Sequence, residues 1–338
     1  MAGVSRANGH RFKGFQTAES GVPEKLRPDP AEWSFDLDET LRAVFGYHAD
    51  IPDDAFTAST LGNEREGNAV LIDEKGHLLT IGYLATEADE VTLTDVEGSQ
   101  CPARVVGYDQ VTGLGLLRAD RPLDCRPMTL GSITDLSVGD NAVAAAGGGR
   151  DFAMVVSVVS KREFAGYWEY LLDEAVFTSP PHPRWSGAAL ITRQGVLAAV
   201  GSLYVQDSLP GEQTRPGNMF VPVELLHPIF EDMATTGRAA RPPRPWLGMF
   251  GAEVEDRVVI AGLTDDGPAD DAGLKVGDLV LGVAGEPVGG LSDFYRAVWS
   301  LGPAGVEVPL DVYRDGELVH VAVRSADRRS FLKTPNRH

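Results

Sequence analysis

From Gly67 to Val200 the chain reads as short apolar runs parted by turn-forming residues. Ala69-Val70-Leu71-Ile72 leads into Asp73-Glu74-Lys75-Gly76 and then His77-Leu78-Leu79-Thr80, an order that predicts a hairpin. Glu90-Val91-Thr92-Leu93-Thr94 alternates with the period of a half-buried strand. Segments 103–108, 114–118, 141–146, 154–159, 189–191 and 196–200 repeat the theme. Short strands at this spacing, separated by Gly, Asp and Pro, predict a barrel or sandwich.

The flanks differ. Residues 1–35 are polar, carry Pro23, Pro28 and Pro30, and have weak periodicity, so they read as a mobile arm. Segment 35–45 opens with a short helix and runs into a first strand at 44–49. Beyond the β-rich part, Leu226, Ile229, Phe230 and Met233 have helical spacing, with Pro228 in the first turn and Gly237 as the stop. Arg238-Ala239-Ala240-Arg241-Pro242-Pro243-Arg244-Pro245 is a stiff linker.

A small α+β pattern follows. It has a strand at Trp246-Leu247-Gly248-Met249-Phe250, another at 257–260, a short glycine-ended helix at 267–274 and a strand at 277–283. A helix capped by Ser292, with Asp293 in its first turn, carries Phe294, Ala297, Val298 and Leu301 on one face. A final hairpin turns at Asp315-Gly316. The expected organisation is an arm (1–35), a β-barrel domain (36–235), a linker (236–244), an α+β domain (245–327) and a tail (328–338).

A length of 338 residues suits two domains, and 38 glycines and 22 prolines suit many turns. The net charge of −19 argues against nucleic acid and anionic membrane surfaces, which need clustered Lys and Arg. Cys101 and Cys125 lack zinc-binding spacing and read as free thiols. No metal or cofactor constellation stands out. The N-terminus has no apolar h-region and no run approaches a membrane span, from which a cytoplasmic location is expected.

His77-Leu78-Leu79-Thr80-Ile81-Gly82-Tyr83 has the cadence that precedes the catalytic histidine of trypsin-like serine proteases, and Trp185-Ser186-Gly187 resembles the nucleophile loop. Gly267-Pro268-Ala269, Ala272-Gly273-Leu274, Gly277-Asp278-Leu279-Val280 and Arg314-Asp315-Gly316 fit a PDZ domain. In this order the pieces resemble the HtrA (Deg-type) serine protease family over roughly residues 40–327. The resemblance implies a mainly β fold, a trypsin-like double β-barrel followed by a small α+β PDZ domain. It also implies homo-oligomers, commonly trimers.

The resemblance fails where the chemistry is made. Serine hydrolysis needs a nucleophile, an imidazole base, a carboxylate and N–H donors facing the oxyanion. Ser186 matches the nucleophile, but Tyr83 stands at the histidine position and Gly113 at the aspartate position. Loss of a triad base costs roughly 10⁶-fold in serine hydrolases. Arg184 replaces a glycine and threatens a turn that would need positive φ, and Asn68-Ala69 replaces a small Ser-Gly pair. His182, between Pro181 and Pro183, is the nearest alternative base, and Phe164, Tyr167, Trp168 and Tyr170 are a candidate aromatic lining of an altered cleft.

Trp246, Leu247, Gly248, Met249 and Phe250 match the PDZ loop whose N–H groups capture a C-terminal carboxylate. The short 249–258 connection suggests that part of the groove's lid is missing. The expected function is a catalytically inactive pseudoprotease. It would act as a scaffold or regulator that binds polypeptide segments or protein C-termini, with Ser186 vestigial. The alternatives are an active serine endopeptidase using Ser186 with a non-standard base, and a small-molecule sensor using the former cleft.

Overall fold

The computed structural model describes residues 21–209 and 215–333. Most of the expected arm and the end of the expected tail lie outside the described residues. The chain forms two compact units. The first takes in the chain up to Arg162, Glu174–Ala239 and the end from Lys333; the second takes Glu163–Asp173 and Ala240–Leu332.

Two closed barrels make the first unit. One consists of β1 (Val44–Asp50), β2 (Glu64–Leu71), β3 (His77–Ile81), β4 (Glu90–Thr94), β5 (Gln100–Asp109) and β6 (Leu114–Ala119), in the order β1-β2-β3-β6-β5-β4. The other consists of β7 (Asn141–Ala145), β8 (Ala153–Gly166), β9 (Tyr170–Ser179), β10 (Ala189–Ile191), β11 (Leu197–Val205) and β12 (Gly217–Pro222), in the order β10-β11-β12-β9-β8-β7. Closure leaves no unpaired sheet edge. The second barrel is filled by small and branched side chains, among them Ala142, Ala144, Val156, Val158, Val176 and Leu190, with the aromatic Phe220.

Val22 is buried in that same core, and its N–H donates to the Asp151 carbonyl at 2.6 Å. The chain from Gly21 onward is therefore docked, which corrects the expectation of a mobile arm through residue 35. The first unit also carries α1 (Leu37–Leu41), α2 (Ala58–Leu61) and α3 (Gly82–Ala85). The helix expected over 223–233 is instead a 3-10 turn (Val223–Leu226) followed by α4 (Phe230–Thr236), with Pro228 between them rather than inside a first turn. Gly237 ends α4 at φ 78°.

In the second unit β13 (Met249–Val254), β14 (Arg257–Leu263), β15 (Leu279–Val283), β16 (Glu286–Pro287), β17 (Glu307–Arg314) and β18 (Glu317–Arg324) form one antiparallel sheet, ordered β13-β14-β15-β17-β18 with β16 beside β15. The strand expected from Trp246 begins only at Met249; Trp246 makes an isolated bridge to Ala326. Asp315 and Gly316 both take positive φ, as the hairpin turn requires. Asp278, almost wholly buried, accepts from Arg314 Nε at 2.7 Å and from the Lys275 N–H at 2.8 Å, tying the turn before β15 to the end of β17.

Two helices complete this unit, α5 (Pro268–Asp271) and α6 (Leu291–Ser300). The apolar face of α6, with Phe294, Tyr295 and Val298, packs into a core with Leu247, Met249, Ile260 and Leu310. Ser292 does not cap α6. The helix starts one residue earlier, behind Gly290, and Glu253 from β13 accepts the Leu291 N–H at 2.8 Å. A partner distant in sequence thus satisfies an orphan donor that a local side chain usually takes. Among the described residues no helix is long and apolar enough to cross a membrane.

Candidate functional site

Ser186 lies in the turn between β9 and β10, and this turn is pinned from both sides. Gly187 sits at φ 72°, and a Cβ there would fall 2.0 Å from the Asn68 carbonyl oxygen, so only glycine fits. Asn68, on β2, donates its backbone N–H to the Ser186 carbonyl at 2.8 Å. Its Nδ2 donates to the Ser186 carbonyl at 2.8 Å and to the Arg184 carbonyl at 3.0 Å, and its Oδ1 accepts the Gly147 N–H at 2.8 Å.

Tyr83 stands directly against the serine. Its hydroxyl donates to the Ser202 carbonyl at 2.8 Å and is hydrogen-bonded to Ser186 Oγ. A phenol has one proton, and the carbonyl can only accept, so the Ser186 hydroxyl is the donor to Tyr83. Tyr83 is partly exposed as a residue but its hydroxyl end is enclosed, and burial pushes the phenol well above its ordinary pKa of 10.0. At neutral pH the group facing Ser186 is a neutral phenol, a very weak base.

Gly113 takes φ 75° in the turn before β6, and its carbonyl accepts the Gly82 N–H at 2.7 Å. It offers no side chain. The buried carboxylate of Asp109 accepts from the Thr112 N–H and hydroxyl, both at 2.8 Å, as a turn brace.

His182 is fully buried. Its Nε2 meets the Phe152 carbonyl at 3.0 Å and is therefore protonated, which leaves Nδ1 to accept the Arg184 N–H at 3.0 Å. Both ring nitrogens are thus engaged away from Ser186, which rules against the alternative reading of His182 as its base. Burial pushes this imidazole down to about 4, so it is neutral. The Arg184 N–H, two residues before the serine, is spent on that ring. Arg184 itself does not take positive φ, so the backbone conflict expected there does not arise. His77 is likewise structural: Nδ1 pairs with Asp73 Oδ2 at 2.6 Å, and its ring meets Phe230 edge-on.

The second unit holds a different constellation. The N–H groups of Leu247, Gly248 and Met249 converge on the carboxylate of Glu169, at 2.9, 2.8 and 3.2 Å. Of the five residues expected in a carboxylate loop, these three supply the donors; the Trp246 N–H goes to Ala326. Glu169 sits at φ 58° in the turn joining β8 to β9. Two residues earlier, the Tyr167 carbonyl accepts the Gly251 N–H at 2.9 Å. The Tyr295 hydroxyl donates to the Gly166 carbonyl at 2.7 Å and accepts the Glu169 N–H at 3.3 Å. Leu171 belongs to the same buried core as Leu247 and Val298. Arg296 on α6 pairs with Glu163 and Asp173.

Glu169 is buried, which pushes its carboxyl up to about 7 against the downward pull of the three N–H donors and Arg328. The aromatic set named as a candidate lining of an altered cleft packs at this turn: Trp168 stacks on Tyr170, and Tyr167 packs against Phe250. Nothing local in the sequence marks Glu169; its partners lie 78 to 80 residues away. Among the described residues no group of His, Cys, Asp and Glu is arranged to hold a metal.

Two six-stranded barrels followed by a small sheet capped by α6 define a trypsin-like peptidase fold with a PDZ domain. Residues 67–200 match the trypsin-like peptidase domain family and residues 245–324 the PDZ domain family. A probable periplasmic DegP-like serine endoprotease of Pseudomonas fluorescens is 27% identical over 273 residues, covering 75% of this chain and 55% of that protein. Protease Do-like 1, chloroplastic, of Arabidopsis thaliana is 26% identical over 328 residues, covering 89% and 73%. The solved structure of the HtrA-type protease AlgW with a decapeptide aligns at TM-score 0.52 and 20% identity, over 89% of this chain and 98% of that one.

The chain thus carries a trypsin-like peptidase domain followed by a PDZ domain and is similar to HtrA-type serine proteases. It spans about half the length of several curated relatives it matches. Those relatives are named periplasmic, which overturns the expected cytoplasmic location.

Proposed function

We propose that this HtrA-type protein is a pseudoprotease: a polypeptide-binding scaffold or regulator that works through its PDZ domain, with Ser186 as a vestigial nucleophile. The observation that carries the reading is the direction of one hydrogen bond. Ser186 donates its hydroxyl hydrogen bond to Tyr83, a buried neutral phenol that cannot remove the proton, where catalysis needs an imidazole that takes the proton away. Two further observations support it. Gly113, at the position of the orienting carboxylate, has no side chain, and the Arg184 N–H that would face an oxyanion is bonded to His182.

Peptide capture rests on the convergent N–H groups of Leu247, Gly248 and Met249 beside β13 and α6, the arrangement by which a PDZ groove takes a terminal carboxylate and adds the peptide as a strand. A relative with this fold, AlgW, has been solved with a decapeptide.

The test is hydrolysis of casein by the purified protein with Ser186→Ala as control. Equal rates at background are expected. Cleavage that disappears in Ser186→Ala would overturn the proposal and make the chain an active endopeptidase, as its relatives are named.

A further inference from the structure

The groove that would take a peptide is already taken. Each feature a bound peptide contributes has a counterpart in the turn between β8 and β9. The Glu169 carboxylate fills the loop donors, the Tyr167 carbonyl meets the Gly251 N–H two residues along, and Leu171 joins the apolar core beside Leu247 and Val298. Strand addition pairs a peptide's main chain with an open strand edge while backbone N–H groups capture its carboxylate, and the turn makes both kinds of bond.

The fit extends beyond the groove floor. Tyr295, on the helix that walls the groove, grips the turn twice, through the Gly166 carbonyl and the Glu169 N–H. Arg296, its neighbour, clasps Glu163 and Asp173 on the two arms of the hairpin. Positive φ at Glu169 is uncommon for a residue with a side chain and belongs to the tight turn that aims the carboxylate. No loop N–H from Leu247 to Met249 is left for a second carboxylate.

We propose that the β8–β9 turn is a built-in ligand of the PDZ groove. The Glu169 side chain stands where a terminal carboxylate would stand, so that peptides with free C-termini bind only by displacing it. This rests on the reading of residues 245–327 as a peptide binder. It adds that the groove is closed in the resting protein and accepts a side-chain carboxylate on an internal turn as well as a chain terminus.

The experiment compares the full chain with Glu169→Ala by two readouts. The first is hydrogen–deuterium exchange at residues 247–249. The second is titration with a fluorescein-labelled pool of decapeptides having free carboxyl termini and apolar last residues, with the same pool amidated as control. In the wild-type protein these amides are protected without any peptide. In Glu169→Ala they exchange roughly tenfold faster or more, and the free-acid pool binds roughly tenfold tighter or more while the amidated pool does not. Should Glu169→Ala not fold, Tyr295→Phe removes both hydrogen bonds of the Tyr295 hydroxyl to the turn and shifts both readouts the same way. Unchanged exchange, or peptide binding as tight to the wild type as to the variants, overturns the built-in ligand and leaves the peptide-binding reading standing. Accelerated exchange with no peptide bound by any of the proteins sinks the peptide-binding reading, and the proposed competition falls with it.

Discussion

Asn68 holds the carbonyl oxygen of Ser186 twice, once through its backbone N–H and once through its side-chain amide, each at 2.8 Å. The same side chain reaches the Arg184 carbonyl and receives the Gly147 N–H, so one residue of the first barrel fixes the serine turn and the end of β7 in the second. Asn68→Ala leaves these buried groups without their partner, and each such orphan costs about 1–3 kcal/mol. A loss of about 3 kcal/mol in urea unfolding of the full chain is expected. Asn68→Asp does no better, because a carboxylate cannot donate to two carbonyls. A midpoint unchanged in both variants would contradict this role.

Restoring the residue types of a triad is not expected to restore a protease. In Tyr83→His with Gly113→Asp, the Arg184 N–H still serves His182. Loss of one oxyanion donor costs roughly 10²–10³-fold in rate. Casein hydrolysis by the double variant should therefore stay at least roughly 100-fold below that of an intact serine protease. Full activity in that variant would show that the turn rearranges when substrate binds.

Buried neutral His182 makes stability depend on pH with a defined sign. Its folded value of about 4 lies below the ordinary 6.5, so between the two the unfolded chain binds a proton that the folded chain refuses. The contribution is complete above about pH 6.5 and is lost as pH falls toward 4. At pH 5 the loss amounts to about 2 kcal/mol. Denaturation of wild type and His182→Gln at pH 7.5 and pH 5 isolates the imidazole's contribution: the wild type should lose more on acidification. Parallel losses would mean that the imidazole is not held neutral.

Much of the fold is legible because its signals are local. Asp315-Gly316 requires positive φ at both residues of a tight hairpin and takes it. Gly237 stops a helix, and the apolar spacing of Phe294 and Val298 marks the buried side of α6. The failures share one cause, in that the deciding partner is remote. Ser292 looks like a cap, but Glu253, 38 residues earlier, takes the helix's first N–H. β9 is hidden in the sequence because Asp173-Glu174 interrupts its apolar run. In the candidate site, residue types place Tyr83, Gly113 and Ser186 in one frame, while the direction of the Ser186 hydrogen bond depends on the Ser202 carbonyl, visible only once the barrels close. The aromatic set stands out by composition, but its place at the β8–β9 turn could not be read from it, since sequence does not say where a hairpin tip points.

The turn bearing Glu169 is tethered to the groove it fills, so its local concentration is fixed by the chain and not by how much protein is present. For a short tether that concentration is roughly millimolar, at which even an intrinsic dissociation constant of about 100 µM keeps a site about nine-tenths filled. Dilution does not unmask such a groove. It sets a threshold instead: scarce, weakly binding chain ends are screened out, and only abundant or tight ones gain entry.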